Sequence, residues 1–159
     1  MVGPMEVHIC SANRLMRREL MHVFPALPGE AILCIPTNQH SAMDLVKVGT
    51  DVDVEKDRCL EEFAEFGKKF CEALSESGFW ADFIDPCSGL PMITPDTTKV
   101  YSEVDGMQLL LKYATMDAGM CKILLHPTWG SSVYPASAFT NAPFEEVMKV
   151  LEAIQAGSR

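Results

Sequence analysis

Cys121 is the residue best placed to do chemistry, within the stretch Asp117-Ala118-Gly119-Met120-Cys121-Lys122-Ile123-Leu124-Leu125-His126-Pro127-Thr128-Trp129-Gly130. Small residues lead into a short apolar run of strand length, and Pro and Gly follow it, so the stretch reads as loop, buried strand and turn. A cysteine at a strand entrance is held out by a rigid element. As a thiolate it is a nucleophile or a soft metal ligand.

Alternation along the strand decides what can assist that sulfur. With residues 121–125 extended, Cys121, Ile123 and Leu125 share one face, and Lys122, Leu124 and His126 take the other. The nearest cation and imidazole therefore point away, which argues against a local Cys/His nucleophile pair. Backbone donors from Ala118, Gly119 and Met120, or a metal that displaces the thiol proton, are the remaining routes to activation. The competing reading is that a free cysteine is simply a small, buried apolar residue.

The chain of 159 residues is long enough for one domain with its own core. We divide it into linker residues 1–4, a single domain over 5–156 and a tail at 157–159. With 48% hydrophobic and 22% charged residues it has an ordinary globular composition, and its apolar runs are too short for a membrane span. A net charge of −9 argues against nucleic acid, which requires a basic footprint. Arg14, Arg17 and Arg18 form a basic cluster beside Glu19 and read as a solvated helix face or part of a charged interface.

Six cysteines at 10, 34, 59, 71, 87 and 121 lack C-x-x-C spacing, and no secretory leader is apparent. That pattern suggests reduced thiols in a cytosolic or organellar interior. His8, His22, His40 and His126 do not pair with cysteines at the spacing of structural zinc.

Step by step, Met5 to Cys10 alternates as a first strand, with His8 facing solvent or a polar seam, and Ser11 or Asn13 can cap a helix reaching Val23. Ala31–Pro36 and Leu45–Val54 read as strands of a hairpin, joined by polar Thr37–Ser41 and broken near Gly49. Asp57–Ser77 carries one apolar stripe through Leu60, Phe63, Gly67, Phe70, Cys71 and Leu74, capped by Asp53 or Asp57 and closed by Gly78. Phe79–Ile84 reads as a strand and Asp85–Gly89 as a turn exposing Cys87. Pro91–Gly106, including Lys99, Tyr101 and Asp105, reads as a long loop, while Met107–Tyr113 is ambiguous between helix and strand. Residues 119–139 are expected to form a hairpin. Asn141 is expected to cap a final helix with Phe144, Val147, Met148, Leu151 and Ile154 on one face. The sum is an α+β domain with a mostly antiparallel sheet flanked by helices.

The run Phe79-Trp80-Ala81-Asp82-Phe83-Ile84-Asp85-Pro86-Cys87-Ser88-Gly89-Leu90, then Gly119-Met120-Cys121-Lys122-Ile123, His126-Pro127-Thr128-Trp129-Gly130 and Phe139-Thr140-Asn141-Ala142, closely resembles the CblD family of intracellular vitamin B12 trafficking. The likeness extends from about Val7 to the final helix. It implies a nitroreductase-like fold without bound flavin, so no FMN is expected, and no turnover of its own. It also implies an adapter that binds CblC, the cobalamin-processing protein, and directs cofactor toward methionine synthase or methylmalonyl-CoA mutase. The resemblance carries cobalt ligation over to Cys121, whose thiolate would reach cobalamin held by the partner. Some relatives have a second cysteine where this chain has Met120, so a role for a vicinal thiol pair is not carried over. A cytoplasmic location is expected, with a mitochondrial one for a longer form bearing a leader.

For the partner surface, Asp105, Asp117, Gly119 and Met120, with the Met107–Tyr113 segment, are the candidate residues. The alternative function is a flavin- or thiol-dependent reductase of the same fold, for which the chain offers no glycine-rich phosphate loop. A homodimer is the third option, since an exposed strand edge serves self-pairing and partner pairing alike.

Overall fold

The computed structural model describes residues 5–29 and 31–157. Its elements follow the chain as β1 (Met5–Val7), β2 (Cys10–Ser11), α1 (Arg14–Val23), β3 (Leu33–His40), α2 (Thr50–Glu76), β4 (Ala81–Phe83), α3 (Glu103–Leu111), β5 (Ala114–Ala118), β6 (Cys121–Leu125), β7 (Val133–Thr140) and α4 (Phe144–Gly157). The main sheet runs β1-β3-β7-β4, with β2 also on β3, and every pairing is antiparallel. β5 and β6 form a separate two-stranded sheet.

Alternation on the central strands divides the core. Ile35 of β3 and Ala136 and Ala138 of β7 face α2 and α4, where they pack with Phe63, Phe66, Phe70, Leu74, Val147 and Ile154. Cys34 and Phe139 face the other way, toward Met16, Leu20 and Val23 of α1 and toward Phe24 and Tyr101. α2 can approach the sheet because Gly67 has no side chain. A Cβ there would lie 2.6 Å from the Phe83 ring. Burial of each phenylalanine is worth about 1.5–3 kcal/mol, and Phe70→Ala would cost about 3–5 kcal/mol in transfer and cavity terms.

Several sequence expectations are corrected. The hairpin over 31–54 does not form. The polar segment Thr37-Asn38-Gln39 is the buried middle of β3, flanked by β1 and β7. It is tolerated there because its side chains find acceptors: Thr37 Oγ1 donates to the Ala136 carbonyl at 2.6 Å and Gln39 Nε2 to the Cys59 carbonyl at 2.7 Å. The valine alternation at 46–54 is incidental. Val46, Val48 and Val54 are exposed, and α2 begins at Thr50 with Gly49 at its N-cap, so neither Asp53 nor Asp57 caps it. Asp51 and Asp53 in the first turn suit the positive end of the helix dipole, and Val52, Glu55 and Cys59 extend the buried stripe.

Other expectations stand with adjusted limits. Asn13 caps α1 by accepting from the Met16 amide at 2.9 Å. Gly78 takes φ +86 beyond α2. The first strand is split into β1 and β2, and His8 lies between them with Nε2 3.8 Å from Glu6 Oε1. Of Met107–Tyr113, residues 107–111 form the end of α3, with Lys112 as its C-cap and Tyr113 beyond it, and α3 absorbs Glu103 and Asp105 from the expected loop. Asn141 does not cap α4; its Oδ1 accepts from the Trp80 amide at 2.8 Å, and Phe144 is exposed. The remaining loop is tied down by the buried Asp82 carboxylate, which accepts from the Ile93 and Thr94 amides at 3.0 and 2.8 Å.

Candidate functional site: a cysteine at a hairpin tip

The hairpin expected over 119–139 is replaced by a tighter one. β6 pairs with the preceding β5, in the register Ala118↔Cys121, Asp117↔Lys122, Met116↔Ile123, Thr115↔Leu124 and Ala114↔Leu125. Gly119 and Met120 are the two residues of the turn. Gly119 has φ +65 and Met120 has no positive φ, the arrangement of a II′ turn with glycine first. No atom would obstruct a Cβ on Gly119, so conformation and not space calls for glycine.

Cys121 is exposed at the first position of β6, and Met120 beside it is fully exposed. The face assignment read from alternation holds: Leu124 and His126 are buried against the body of the protein, and Lys122 reaches α3 from the same side. The buried-strand expectation holds only for the base of β6, since Cys121 and Lys122 are exposed and Ile123 and Leu125 half-buried. On the opposite face Cys121 has Ala118 directly across from it, and Met116, also exposed, pairs with Ile123. Among the described residues Cys121 Sγ has no hydrogen-bond partner, so the anticipated backbone donors from residues 118–120 are not aimed at it. No group of three or more His, Cys, Asp or Glu side chains gathers into a metal site among the described residues.

The hairpin is held to the body through its other face. Leu124 packs with Met107 and Val133, against half-buried Val104, Leu111, Tyr113 and Trp129. Lys122 Nζ lies 2.9 Å from Asp105 Oδ1 on α3 and 3.5 Å from Gln108 Oε1. At the base, His126 is stacked on Trp129 at 4.0 Å, and Trp129 is stacked in turn on His40 at 4.9 Å. His126 Nδ1 accepts from the Thr128 and Trp129 amides at 3.0 and 3.1 Å. That leaves the proton on Nε2, which donates to Glu6 Oε1 at 2.8 Å. A metal ion between Glu6, His8 and His126 is thereby disfavoured, since Nε2 has no free lone pair.

The candidate residues Asp105, Asp117, Gly119, Met120 and Cys121 therefore meet on or beside one hairpin. Asp117 is the cross-strand neighbour of Lys122, and Asp105 its ion-pair partner. Met107 does not belong to a partner surface, because it is fully buried. Sequence reasoning missed the holding residues Glu6, Lys122 and His126; the signal for the hairpin was the Gly-X pair at 119–120 between two extended runs.

The other thiols are less available. Burial pushes Cys34 up to about 12 and Cys59 up to about 11, and raises Cys71 further. Cys87 is exposed, but in a turn whose Asp85 carboxylate binds the Cys87 amide and the Ser88 hydroxyl.

Comparison with known proteins gives the family. A family profile described as methylmalonic aciduria and homocystinuria type D protein matches residues 3–154. The cobalamin trafficking protein CblD of Rattus norvegicus is 35% identical over 137 residues, 86% of this chain and 46% of that protein. The Homo sapiens protein of the same name is 34% identical over 147 residues, 92% of this chain and 50% of its own length. The chain thus spans about half the length of these relatives. Covered almost end to end by the profile and by these alignments, it belongs to the methylmalonic aciduria and homocystinuria type D protein family.

Proposed function

We propose that the protein is a non-enzymatic adapter of cobalamin trafficking, which docks on a CblC-like partner and offers the Cys121 thiolate to the cobalt of the cobalamin held there. The observation carrying this reading is the exposed position of Cys121 at the tip of a hairpin outside the main sheet. A single soft sulfur supplies one coordination position on cobalt, and a tip only two turn residues wide can enter a cleft in another protein. The apolar face around it, with Met116 and Met120 exposed, suits packing against a partner, because methionine adapts its shape. Lys122, held by Asp105, lies on the far face and is free of the contact.

In this proposal the domain is a nitroreductase-like fold without flavin, its cobalamin is cargo shared with the partner, and the complex passes it toward methionine synthase or methylmalonyl-CoA mutase. In this proposal the role is exercised in the cytosol and the mitochondrion. The family relatives named for cobalamin trafficking support this reading.

The test is to mix the protein with cobalamin-loaded CblC, follow the visible spectrum of the corrin and size the product. A new cobalt–sulfur band together with a heterodimer is expected for the wild type. Cys121→Ser should abolish the band with the fold intact, and Cys87→Ser should keep it. An unchanged spectrum for the wild type, or an unchanged band for Cys121→Ser, overturns the assignment. Flavin absorption in the purified protein, or nicotinamide turnover, would establish the reductase instead.

A further inference from the structure

Cys10 and Cys34 are separated by the whole of α1 and the loop after it, yet β2 and β3 set them directly opposite one another. Residues opposite in an antiparallel pair project to the same face. Both meet the same core cluster, Cys34 buried within it and Cys10 half-buried at its margin. The pairs on either side, His8 N to the Pro36 carbonyl and Ala12 N to the Ile32 carbonyl, are both hydrogen-bonded at 3.0 Å. Alternation along the ladder makes Cys10↔Cys34 a hydrogen-bonded pair too, with Cα atoms about 5.5 Å apart. That separation falls within the roughly 4.4–6.8 Å that a disulfide spans.

We propose that Cys10 and Cys34 are a site of reversible oxidation, closing a cross-strand disulfide that staples the N-terminal strands to the centre of the sheet. The oxidant is a peroxide. The half-exposed Cys10 thiolate attacks it, a sulfur–oxygen bond forms as the peroxide oxygen–oxygen bond breaks, and Cys10 becomes a sulfenic acid. Cys34 sulfur then displaces the sulfenic oxygen, the sulfur–sulfur bond forms, and the oxygen leaves as water with the two thiol protons accounted for. Two thiols lose two electrons, and one peroxide becomes two waters.

Burial raises both thiols above their ordinary range, Cys34 to about 12, so the first step is slow beside that of an activated thiol. Cβ atoms of opposite residues lie about 4.5–5.5 Å apart, wider than the roughly 3.5–4.5 Å of a relaxed disulfide. The bond is therefore strained, and strained disulfides are the readily reduced ones. Positions 10 and 34 lack any short cysteine spacing, and only the register joins them. Glu6 lies on the stapled segment and binds His126 at the base of the hairpin, so oxidation also firms the platform under Cys121.

The experiment uses the Cys87→Ser/Cys121→Ser protein, which has no exposed thiol among the described residues. It is exposed to hydrogen peroxide, denatured in acid, alkylated and weighed intact, then digested without reductant. The expected result is a loss of two hydrogens, two fewer alkylated thiols, a peptide linking residues 10 and 34, and full reversal by dithiothreitol. In Cys34→Ala, Cys10 should instead be trapped by dimedone as a sulfenic acid; Cys10→Ser, a milder change at a half-buried site, should block the cross-link with the fold retained. Full alkylation of both cysteines after peroxide, or sulfinic acid at Cys10 without any cross-link while Cys34 is present, overturns the proposal. Neither result touches cobalt ligation, which Cys121 alone would supply.

Discussion

Glu6 Oε1 accepts a hydrogen bond from His126 Nε2 at 2.8 Å, joining the first strand of the chain to the base of the hairpin that displays Cys121. The imidazole is almost fully buried and its other nitrogen is occupied by two backbone amides, so Nε2 relies on Glu6 for its acceptor. Glu6→Ala leaves a buried N–H unpaired and should cost about 1–3 kcal/mol. Glu6→Gln keeps an acceptor and should cost less. Hydrogen exchange over residues 124–130 separates the two: faster exchange in Glu6→Ala with near-normal protection in Glu6→Gln is expected, and equal protection in both would remove Glu6 from this role.

The turn makes a sharper test. Gly119 is held at φ +65, where an L residue is strained, so Gly119→Ala should destabilise the hairpin by about 1 kcal/mol. Met120 is fully exposed with ordinary φ, and Met120→Ala should stay within about 0.5 kcal/mol of the wild type. Chemical denaturation and exchange at residues 114–125 measure both. A larger global effect from Met120→Ala than from Gly119→Ala would contradict the turn geometry.

Much of this was legible in the residues, and the failures have physical causes. The stripe from Leu60 to Leu74 announced α2 because a buried helix face repeats every three to four residues. Cys121 was placed at the start of a strand, and the face of Lys122, Leu124 and His126 was correctly paired off from it. Thr37-Asn38-Gln39 reads as a turn because polarity records the side chain and not its burial; carbonyls remote in sequence accept from Thr37 and Gln39. Val46–Val54 was misread as a strand because β-branched alternation over a short run also fits an exposed turn entering a helix. The partner of β6 was assigned to the wrong neighbour, since β5 is too exposed and too short of apolar residues to announce itself.

Lys122 anchors the hairpin by charge. Both it and Asp105 are substantially exposed, so the pair is worth less than about 1 kcal/mol and weakens with salt. Lys122→Ala should barely move the unfolding midpoint, yet it should speed exchange at the hairpin tip at low salt. In molar salt the wild type should approach the variant. Salt-independent protection in the wild type would show that packing of Leu124, and not this pair, holds the tip.

Glu103 supplies a pH dependence whose sign follows from its surroundings. Its carboxyl is buried beneath a half-exposed stem; Oε1 accepts from the Ser137 hydroxyl at 2.6 Å, and Oε2 has no partner among the described residues. Burial, only partly offset by the Ser137 hydrogen bond, raises its pKa from 4.5 to about 7. The folded state thus holds a proton that the unfolded state has released above pH 4.5. Its contribution is fully present below that value, declines as pH rises, and is lost once pH passes about 7. At about 1.4 kcal/mol per pKa unit the whole effect is at most about 3.5 kcal/mol. Glu103→Gln, which stays neutral and can still accept from Ser137, should remove this decline. Stability curves of the two proteins should therefore be closest near pH 4.5 and diverge in favour of the variant up to pH 8. Parallel curves across that range would mean that Glu103 is ionised in the folded protein, with its second oxygen facing the buried Tyr101 hydroxyl as the nearby donor.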